Sequence, residues 1–264
     1  MNATDPPPSL SIVVPALNEA RRLPKTLKRI HAYVVSRRLR AEVLVIDDGS
    51  TDSTATSVEE LIRTRKFPEL RLISNGQNCG KGFSVRHGML QARGEIAMFT
   101  DADLSAPIEE ADKLISAIRE GYDCVIGSRR VHRAVIETRQ PRVRELAGVI
   151  FNSVVRCATG LRFADTQCGF KAFWLERARI IFEQQRTKGF AFDPEILFLA
   201  RRHGLRVTEI PVRWRHDSLS KVHMLRDSMR MLVDVSAIRW NSLVGYYPIT
   251  NANLYRDETV RHPV

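Results

Sequence analysis

The sequence is poor in cysteine and has no long apolar run. Its four cysteines, Cys79, Cys124, Cys157 and Cys168, lie far apart and form no CxxC pair. That spacing excludes a disulfide-stabilised secreted fold and a cysteine-based metal site, and a reducing cytoplasm is the simplest expectation. No stretch approaches the roughly 18 apolar residues that a membrane span requires. We therefore expect a protein that is soluble or lies on a membrane surface.

The N-terminus also lacks the features of a signal peptide. MNATDPPPSL has no basic segment followed by an apolar core, so residues 1–9 are predicted to be a disordered leader. The remaining chain has the composition of a folded protein, with 44% hydrophobic and 27% charged residues. A length of 264 residues favours one large domain over two independent ones.

Positive charge is in excess. The net charge is +11, which indicates an acidic partner: nucleic acid, an anionic membrane surface or a phosphorylated substrate. The excess is concentrated between residues 129 and 160, where seven arginines stand against two glutamates. Charge alone does not distinguish among these partners.

Strand-like and helix-like patterns alternate four times in the first half of the chain. Segments 10–17, 41–53 (an apolar strand ending in acids and a helix cap), 69–74 and 95–103 predict strands, and each is followed by a segment with helical periodicity. This alternation predicts an α/β fold with a mostly parallel central sheet, helices on both faces, and ligands beyond the carboxyl ends of the strands. We assign residues 10–222 to this domain.

The alternation breaks after the apolar run at 122–130. We predict, in chain order, a basic loop at 131–144, an amphipathic helix at 145–158, a loop and strand at 164–173, a helix at 193–204, a strand at 206–216 and an amphipathic helix at 223–243. Residues 223–264 are therefore assigned to a helical extension and tail. The two amphipathic helices either pack on the sheet or lie partly embedded in a membrane surface.

Acidic residues follow two of the predicted parallel strands. Asp47 and Asp48 end the second strand, and Asp101 and Asp103 end the fourth. Carboxyl ends of parallel strands meet at one edge of a sheet, so these carboxylates are expected to crowd together, and crowded carboxylates usually hold a cation or a ligand. Oxygen ligands suit Mg²⁺ or Mn²⁺. Taken singly, each acidic motif is also a plausible turn with a helix cap.

Several motifs together carry a family resemblance. In order and spacing the chain resembles the inverting GT-A glycosyltransferases of family 2 in VVPALNE (13–19), VIDDGSTD (45–52), NCGKGFSVRHGM (78–89), TDADLSAP (100–107) and GSR (127–129). It is more narrowly similar to dolichyl-phosphate β-glucosyltransferases and their bacterial polyprenyl-phosphate relatives in DTQCGFKAF (165–173), GFAFDPEIL (189–197) and WRHDSLSK (214–221). The resemblance implies a GT-A fold with a C-terminal amphipathic helix.

The resemblance also implies a nucleotide-sugar donor, and it assigns residues to it. The uridine pocket would be lined by Pro15, Ala16, Glu19 and Asp47, with Asp47 accepting from the base N3–H. Asp101 would hold the ribose or the sugar, with Ala102 beside it, and Asp103 would be the metal ligand that acts in catalysis. Ser105 replaces a glutamine that approaches the metal in mannosyl relatives, so its role as a second metal ligand is an expectation only.

Basic residues complete the implied site. Arg129 matches a position that grips the donor diphosphate, whereas Arg215 and Lys221 match positions that grip the acceptor lipid phosphate. Lys81 would touch the donor, although a glycine-bracketed helix start explains GKG equally well. Most of the other arginines are expected to form a solvated surface.

The acceptor decides whether a base is needed. A lipid phosphate has a second pKa near ~6 and arrives largely ionised, so no strong base is required, whereas a sugar hydroxyl requires a carboxylate. Asp165 and Asp193 are the candidates for that catalytic role. Asp193 could equally cap the helix that follows it, and Asp165 could brace its loop.

We therefore expect inverting transfer of a hexose, glucose in the first place, from a UDP-sugar to polyprenyl or dolichyl phosphate. The expected cofactor is Mg²⁺ or Mn²⁺, and the expected location is the cytoplasmic face of a membrane, held peripherally without a transmembrane span. The alternatives are a mannosyltransferase using GDP-mannose, a glycosyltransferase with a saccharide or soluble acceptor, and a basic nucleic-acid-binding module. The last explains the charge but leaves the strand-end acids without a purpose.

Overall fold

The alternating apolar and amphipathic segments form a central sheet with helices on both faces. The computed structural model describes residues 6–138, 142–216 and 224–248. In chain order the elements are β1 (Leu10–Ala16), α1 (Leu23–Ser36), β2 (Ala41–Asp47), α2 (Thr54–Arg63), β3 (Leu70–Ser74), α3 (Lys81–Gln91), β4 (Ile96–Phe99), a 3₁₀ turn (Ile108–Glu110), α4 (Ala111–Arg119), β5 (Cys124–Ser128), β6 (Val135–Thr138), α5 (Arg142–Thr159), β7 (Lys171–Trp174), α6 (Leu175–Gln184), α7 (Phe192–Arg202), β8 (Val207–Pro211), β9 (Arg213–Arg215) and α8 (Met224–Leu243).

Seven strands form the main sheet in the order β3-β2-β1-β4-β7-β5-β8. All neighbours are parallel except β7, which runs antiparallel to both β4 and β5. The register pairs Ala16 with Asp47 and Val13 with Phe99, so β1, β2 and β4 end at one edge. The prediction of a mostly parallel sheet with polar residues at a shared carboxyl edge is confirmed.

Both faces of the sheet are buried, which explains the continuous apolar runs of its strands. On β1, Ile12 and Val14 belong to one core cluster, whereas Val13 points into the other. Helices α1 and α4 pack on the first face, and α3, α6 and α7 pack on the second. The sheet thereby provides a rigid base for the loops at its carboxyl edge.

Two local predictions are wrong, and one helix was missed. The segment predicted as a loop at 131–144 contains β6 and the first turn of α5. Strand β6 is exposed along its length and forms a two-stranded parallel sheet with β9, so no burial pattern marks it in the sequence. The strand predicted at 206–216 is two strands in different sheets, divided after Pro211, which has no N–H to donate to a ladder. Helix α6 was not predicted.

Helix α8 matches the helix predicted at 223–243 and joins the main core. Val235 and Ile238 are almost fully buried in the same cluster as the sheet residues Val13 and Phe99, and Tyr247 beyond the helix is buried there too. The division of the chain at residue 222 stays a prediction. Among the described residues, no helix combines the length and the apolar character needed to cross a bilayer.

Candidate active site

A pocket of about 570 Å³ opens at the carboxyl edge of β1 and β4. This volume is within the range of small-molecule sites. Its walls come from the strand ends, from the start of α3, from the loop before α7 and from α8. It is lined by Pro15, Ala16, Leu17, Glu19, Arg22, Asp48, Asn78, Cys79, Gly80, Lys81, Ser84, Asp101, Ala102, Asp103, Lys188, Gly189, Phe190, Met231 and Asp234.

Most of the predicted donor residues converge on this pocket. Those that line it are Pro15, Ala16, Glu19, Lys81, Asp101, Ala102 and Asp103. Those that lie outside its lining are Asp47, Ser105, Arg129, Asp165, Asp193 and Arg215. Lys221 lies outside the described residues. The roles assigned to these residues stay predictions, and the structure adds their surroundings.

The turn after β4 holds Asp101 between a cation and a backbone. The Asp101 Oδ1 atom lies 2.5 Å from Lys81 Nζ. On its other side is Gly169, where a Cβ atom would stand 2.2 Å from Asp101 Oδ2. Any side chain at position 169 would therefore displace the Asp101 carboxylate. Close packing on one side and an ion pair on the other give this carboxylate one orientation.

Asp103 is oriented by the backbone that follows it. Its Oδ1 atom accepts a hydrogen bond of 2.9 Å from the Ser105 amide, and Leu104 between them adopts a left-handed conformation with φ of 48°. Burial, and then the neighbouring Asp101 carboxylate, raise the pKa of Asp103, while the bonds from Ser105 and the charge of Lys81 oppose the shift. A carboxylate in these surroundings is stabilised by an added cation.

The donor atoms fit a divalent cation that is shared with a ligand. Among the described residues, no group of three or more His, Cys, Asp or Glu side chains is placed to hold a metal ion on its own. Asp103 would therefore supply one or two oxygens and the ligand's phosphates the others, which is how Mg²⁺ is commonly held. Ser105 orients that carboxylate through its backbone amide, and its role as a second metal ligand stays a prediction.

The two acids after β2 support the loops around the pocket. Asp47 is buried, and its Oδ1 atom accepts from the Ser50 amide at 3.3 Å. Asp48 is also buried and accepts from the amides of Cys79 at 3.0 Å and Gly80 at 2.8 Å. Asp48 therefore holds the loop that leads into α3. The sequence analysis placed Asp48 among the strand-end acids without giving it a role of its own, and the structure shows that it lines the pocket.

The glycines around Lys81 allow a close backbone approach. A Cβ atom on Gly80 would lie 2.5 Å from the Lys188 carbonyl oxygen, and one on Gly82 would lie 2.6 Å from the Thr187 carbonyl oxygen. Gly80 also has a φ of 99°, which disfavours other residues. The GKG motif thus packs against the loop before α7 and also directs the Lys81 ammonium to Asp101, and the contact of Lys81 with the donor stays a prediction.

The remaining candidate acids are buried in ion pairs. The Arg129 guanidinium donates to both oxygens of Asp165, at 2.7 and 2.8 Å. Although burial alone would raise the pKa of Asp165, the Arg129 charge and hydrogen bonds lower it to about 2. Asp193 accepts from the fully buried ammonium of Lys171. Burial raises the pKa of Asp193, and the charges of Lys171 and Lys81 act against this shift.

Comparison with known proteins identifies the family. The sequence profile described as glycosyl transferase family 2 matches residues 11–190, more than half of the chain. The chain belongs to glycosyl transferase family 2. The predicted resemblance is therefore confirmed, and an enzyme of this family explains the strand-end acids that a nucleic-acid-binding module does not.

Curated relatives in this family cover most of the chain. It is 34% identical to the dolichyl-phosphate beta-glucosyltransferase of Saccharomyces cerevisiae, in an alignment that covers 90% of this chain and 76% of that protein. It is 30% identical to the enzyme of the same name from Homo sapiens, with 91% and 78% covered. The narrower resemblance seen in the sequence is thus also confirmed.

Solved structures share the fold. The glucosyl-3-phosphoglycerate synthase of Mycobacterium tuberculosis, crystallised with Mn²⁺, UDP-glucose and phosphoglyceric acid, superposes with a TM-score of 0.64 at 18% identity. The match covers 93% of this chain and 82% of the mycobacterial one. It confirms the GT-A fold expected for this family 2 enzyme.

Sequence analysis missed the far wall of this glycosyltransferase's pocket. Lys188, Gly189 and Phe190 come from the loop before α7, and Met231 and Asp234 come from α8. These residues lie more than 80 positions after the DAD turn in the chain, and nothing local in the sequence connects them to it. The motif GFAFDPEIL, which begins at Gly189, carries part of the family resemblance, but within it the sequence analysis gives a role to Asp193 alone.

Proposed function

We propose that this glycosyltransferase transfers glucose from a UDP-sugar to a polyprenyl phosphate such as dolichyl phosphate, with inversion at the anomeric carbon. The observation that carries the proposal is the convergence of Asp101, Asp103 and Lys81 in one pocket at the carboxyl edge of β1 and β4. The choice of glucose and of a dolichyl-type acceptor follows the names of the relatives that share 30–34% of the sequence.

The donor lies along the ends of β1, β2 and β4 in this proposal. Pro15, Ala16 and Glu19 contact the uridine, and Asp47, opposite Ala16 in the strand register, accepts from the base N3–H. Asp101 takes the ribose or sugar hydroxyls, because a carboxylate fixed on both sides is a rigid acceptor. The Lys81 ammonium, held beside Asp101, contacts the diphosphate in this proposal.

A divalent metal belongs to the same proposal. Asp103, already oriented by Ser105, would hold Mg²⁺ or Mn²⁺ through its carboxylate. When bound there, the metal supplies charge neutralisation for the diphosphate leaving group. The solved neighbours crystallised with Mn²⁺ and UDP-glucose share the fold in which this is proposed.

The acceptor phosphate approaches from the side of β9. The Arg215 amide donates to the Ser105 carbonyl at 2.8 Å, which attaches the end of this strand to the turn that carries Asp103. The Arg215 side chain is exposed, and its planar guanidinium suits a bidentate contact with a phosphate. Lys221, six residues further along, is proposed to be the second contact.

An ionised phosphate acceptor removes the need for a base. Asp165 is buried under Arg129 with a pKa of about 2, and a carboxylate that acidic is a poor proton acceptor. Asp193 is buried against Lys171 and does not line the pocket. We therefore propose that both carboxylates brace the site, and that the acceptor oxygen attacks without giving up a proton.

A lipid acceptor also requires a surface that meets the bilayer. Helix α5 presents Leu146, Ile150 and Val154 to solvent at a spacing of four residues, so they form one stripe, and Leu146 is 61% exposed. Helix α8, which packs on α5, exposes Val233, Trp240 and Leu243. We propose that these faces and the neighbouring arginines lie on the anionic cytoplasmic leaflet.

A donor and acceptor panel tests the function. The purified protein is incubated with UDP-glucose, other UDP-sugars or GDP-mannose, together with polyprenyl phosphate and Mg²⁺, and the glycolipid is identified by mass. We expect a hexosyl-phosphate lipid from UDP-glucose. Preference for GDP-mannose would replace glucose by mannose in the proposal, and transfer only to free saccharides would overturn the lipid acceptor.

A further inference from the structure

The loop between α6 and α7 is a pocket wall that a buried acid holds from behind. Glu195, on α7, is fully buried, and its two carboxylate oxygens accept from successive amides. The Arg186 amide donates to Oε1 at 3.0 Å and the Thr187 amide to Oε2 at 2.8 Å. The next three residues, 188–190, line the pocket. One carboxylate thus determines where this wall begins.

The same loop forms one side of the clamp around Lys81. The Gln185 side-chain amide donates to the Gly82 carbonyl at 2.8 Å, and the Phe83 amide donates to the Lys188 carbonyl at 3.2 Å. The carbonyl oxygens of Thr187 and Lys188 pack directly against Gly82 and Gly80, which flank Lys81, so there is no free space between the loop and the start of α3. A displacement of the loop therefore moves the start of α3, and with it the Lys81 ammonium.

A tyrosine from the end of the described chain completes the coordination of Glu195. The Tyr247 hydroxyl donates to Glu195 Oε1 at 2.6 Å, and Tyr247 is fully buried. The Arg202 side chain anchors the Tyr247 carbonyl at 3.1 Å. Burial, and then the Glu195 charge, raise the pKa of Tyr247, so the phenol remains a donor at neutral pH.

We propose that Glu195 and Tyr247 are positioning residues for the donor pocket, acting through the 186–190 loop on Lys81. The proposal rests on the proposed function only in taking a uridine nucleotide as the ligand. Both residues lie beyond residue 190, where the family match ends, so residues outside the matched part support a loop that lines the pocket. A buried carboxylate that loses one of three donors is left partly unsatisfied, and the backbone amides that it holds lose their fixed position.

Replacing Tyr247 by Phe removes the hydroxyl and keeps the ring. Tyr33→Phe is the matched control. Tyr33 is buried and its hydroxyl donates to an Asp112 carboxylate oxygen at 2.9 Å, and neither residue lines the pocket. Calorimetry with UDP and Mg²⁺ is expected to show a Kd raised ~10-fold in Tyr247→Phe, equivalent to about 1.4 kcal/mol, and unchanged in Tyr33→Phe. With activity as the readout, KM for the UDP-sugar should rise more than kcat falls.

A ligand-free measurement separates this proposal from the proposed function. Hydrogen exchange at the amides of residues 186–189 and 80–83 should accelerate in Tyr247→Phe and not in Tyr33→Phe. If the wild type binds no UDP, the proposed donor is wrong, and the exchange data still decide the role of Tyr247. Wild-type exchange in both segments, or an unchanged Kd for UDP, overturns the positioning role. Glu195→Gln places a side-chain NH₂ group against a backbone amide that is also a donor. A folded Glu195→Gln variant should therefore accelerate exchange and raise the Kd for UDP more than Tyr247→Phe does.

Discussion

The acids at the edge of the sheet and the acids behind it have different surroundings. The Asp101 side chain is 33% exposed in the pocket, whereas those of Asp165 and Asp193 are only 2% and 5% exposed and each contacts a cation. Asp101 also contacts a cation, Lys81, but its exposed side keeps room for a ligand, whereas burial leaves Asp165 and Asp193 with their cations alone. Mutations should therefore affect binding and turnover in the first group and stability in the second.

The Lys171–Asp193 pair should show the largest effect. Lys171→Met leaves a buried carboxylate without its partner, and breaking such a pair costs about 3–5 kcal/mol of unfolding free energy. Chemical denaturation measures the loss. The double variant Lys171→Met/Asp193→Asn should recover a substantial part of it, since the uncompensated charge is gone. A double variant no more stable than the single one would show that the charge is not the cause.

The Arg129–Asp165 pair should make the free energy of unfolding depend on pH in the acidic range. Asp165 has a folded pKa of about 2, below its ordinary 3.8, so the pair's contribution is complete above pH 4 and is lost as the pH falls toward 2. Arg129→Met should cost about 3 kcal/mol at pH 7, and its difference from the wild type should shrink on acidification. Arg63→Met, at an exposed pair, is the control and should change stability by less than ~1 kcal/mol. A difference that does not vary with pH would contradict the ion pair.

Asp103 should decide turnover rather than stability. Asp103→Asn is expected to lower kcat by at least ~10²-fold, the scale of losing a principal electrostatic stabiliser, with an unfolding midpoint close to that of the wild type. Asp112→Asn, on the distant α4, should keep its turnover. EDTA should abolish the wild-type reaction, and near-normal rates in EDTA would exclude the metal role of Asp103.

Arg215 tests the acceptor side with a smaller effect. Arg215→Ala and Lys221→Ala should each reduce transfer to polyprenyl phosphate at least ~10-fold, about 1.4 kcal/mol, and Arg215→Lys should not restore a bidentate contact. Arg213→Ala is the matched control, since Arg213 lies on the same strand but its Nε atom is paired with Glu110 at 2.6 Å. Equal losses at 213 and 215 would indicate a structural cause.

The membrane surface should show the smallest effect per residue. Arg156→Gln on α5 should weaken co-sedimentation with anionic vesicles by about 1 kcal/mol, and added salt should weaken it further. Arg119→Gln, exposed on α4 across the sheet, should bind as the wild type does. Equal binding to neutral vesicles would contradict an electrostatic contribution of the arginines to membrane binding.

Much of the fold and half of the site follow from local sequence patterns. The apolar runs of β1, β2 and β4 predict parallel strands because both of their faces are buried. Strand ends then place Ala16, Asp47 and Asp101 at one edge, since a strand's direction determines where its last residue lies. The identity of these residues also indicates their chemistry, because carboxylates that crowd together at one edge of a sheet usually hold a cation or a ligand.

Tertiary structure alone decided which polar residues remain available and what closes the pocket. Lys171 and Asp193, or Arg129 and Asp165, are far apart in the chain, and no local pattern predicts that each of these buried acids is paired with a cation. Likewise, Glu195 meets Tyr247 only because α7 and α8 pack in one core. Periodicity reports the environment along one element, whereas ion pairing and loop placement depend on the distance between elements, which is determined by the packing of the whole chain.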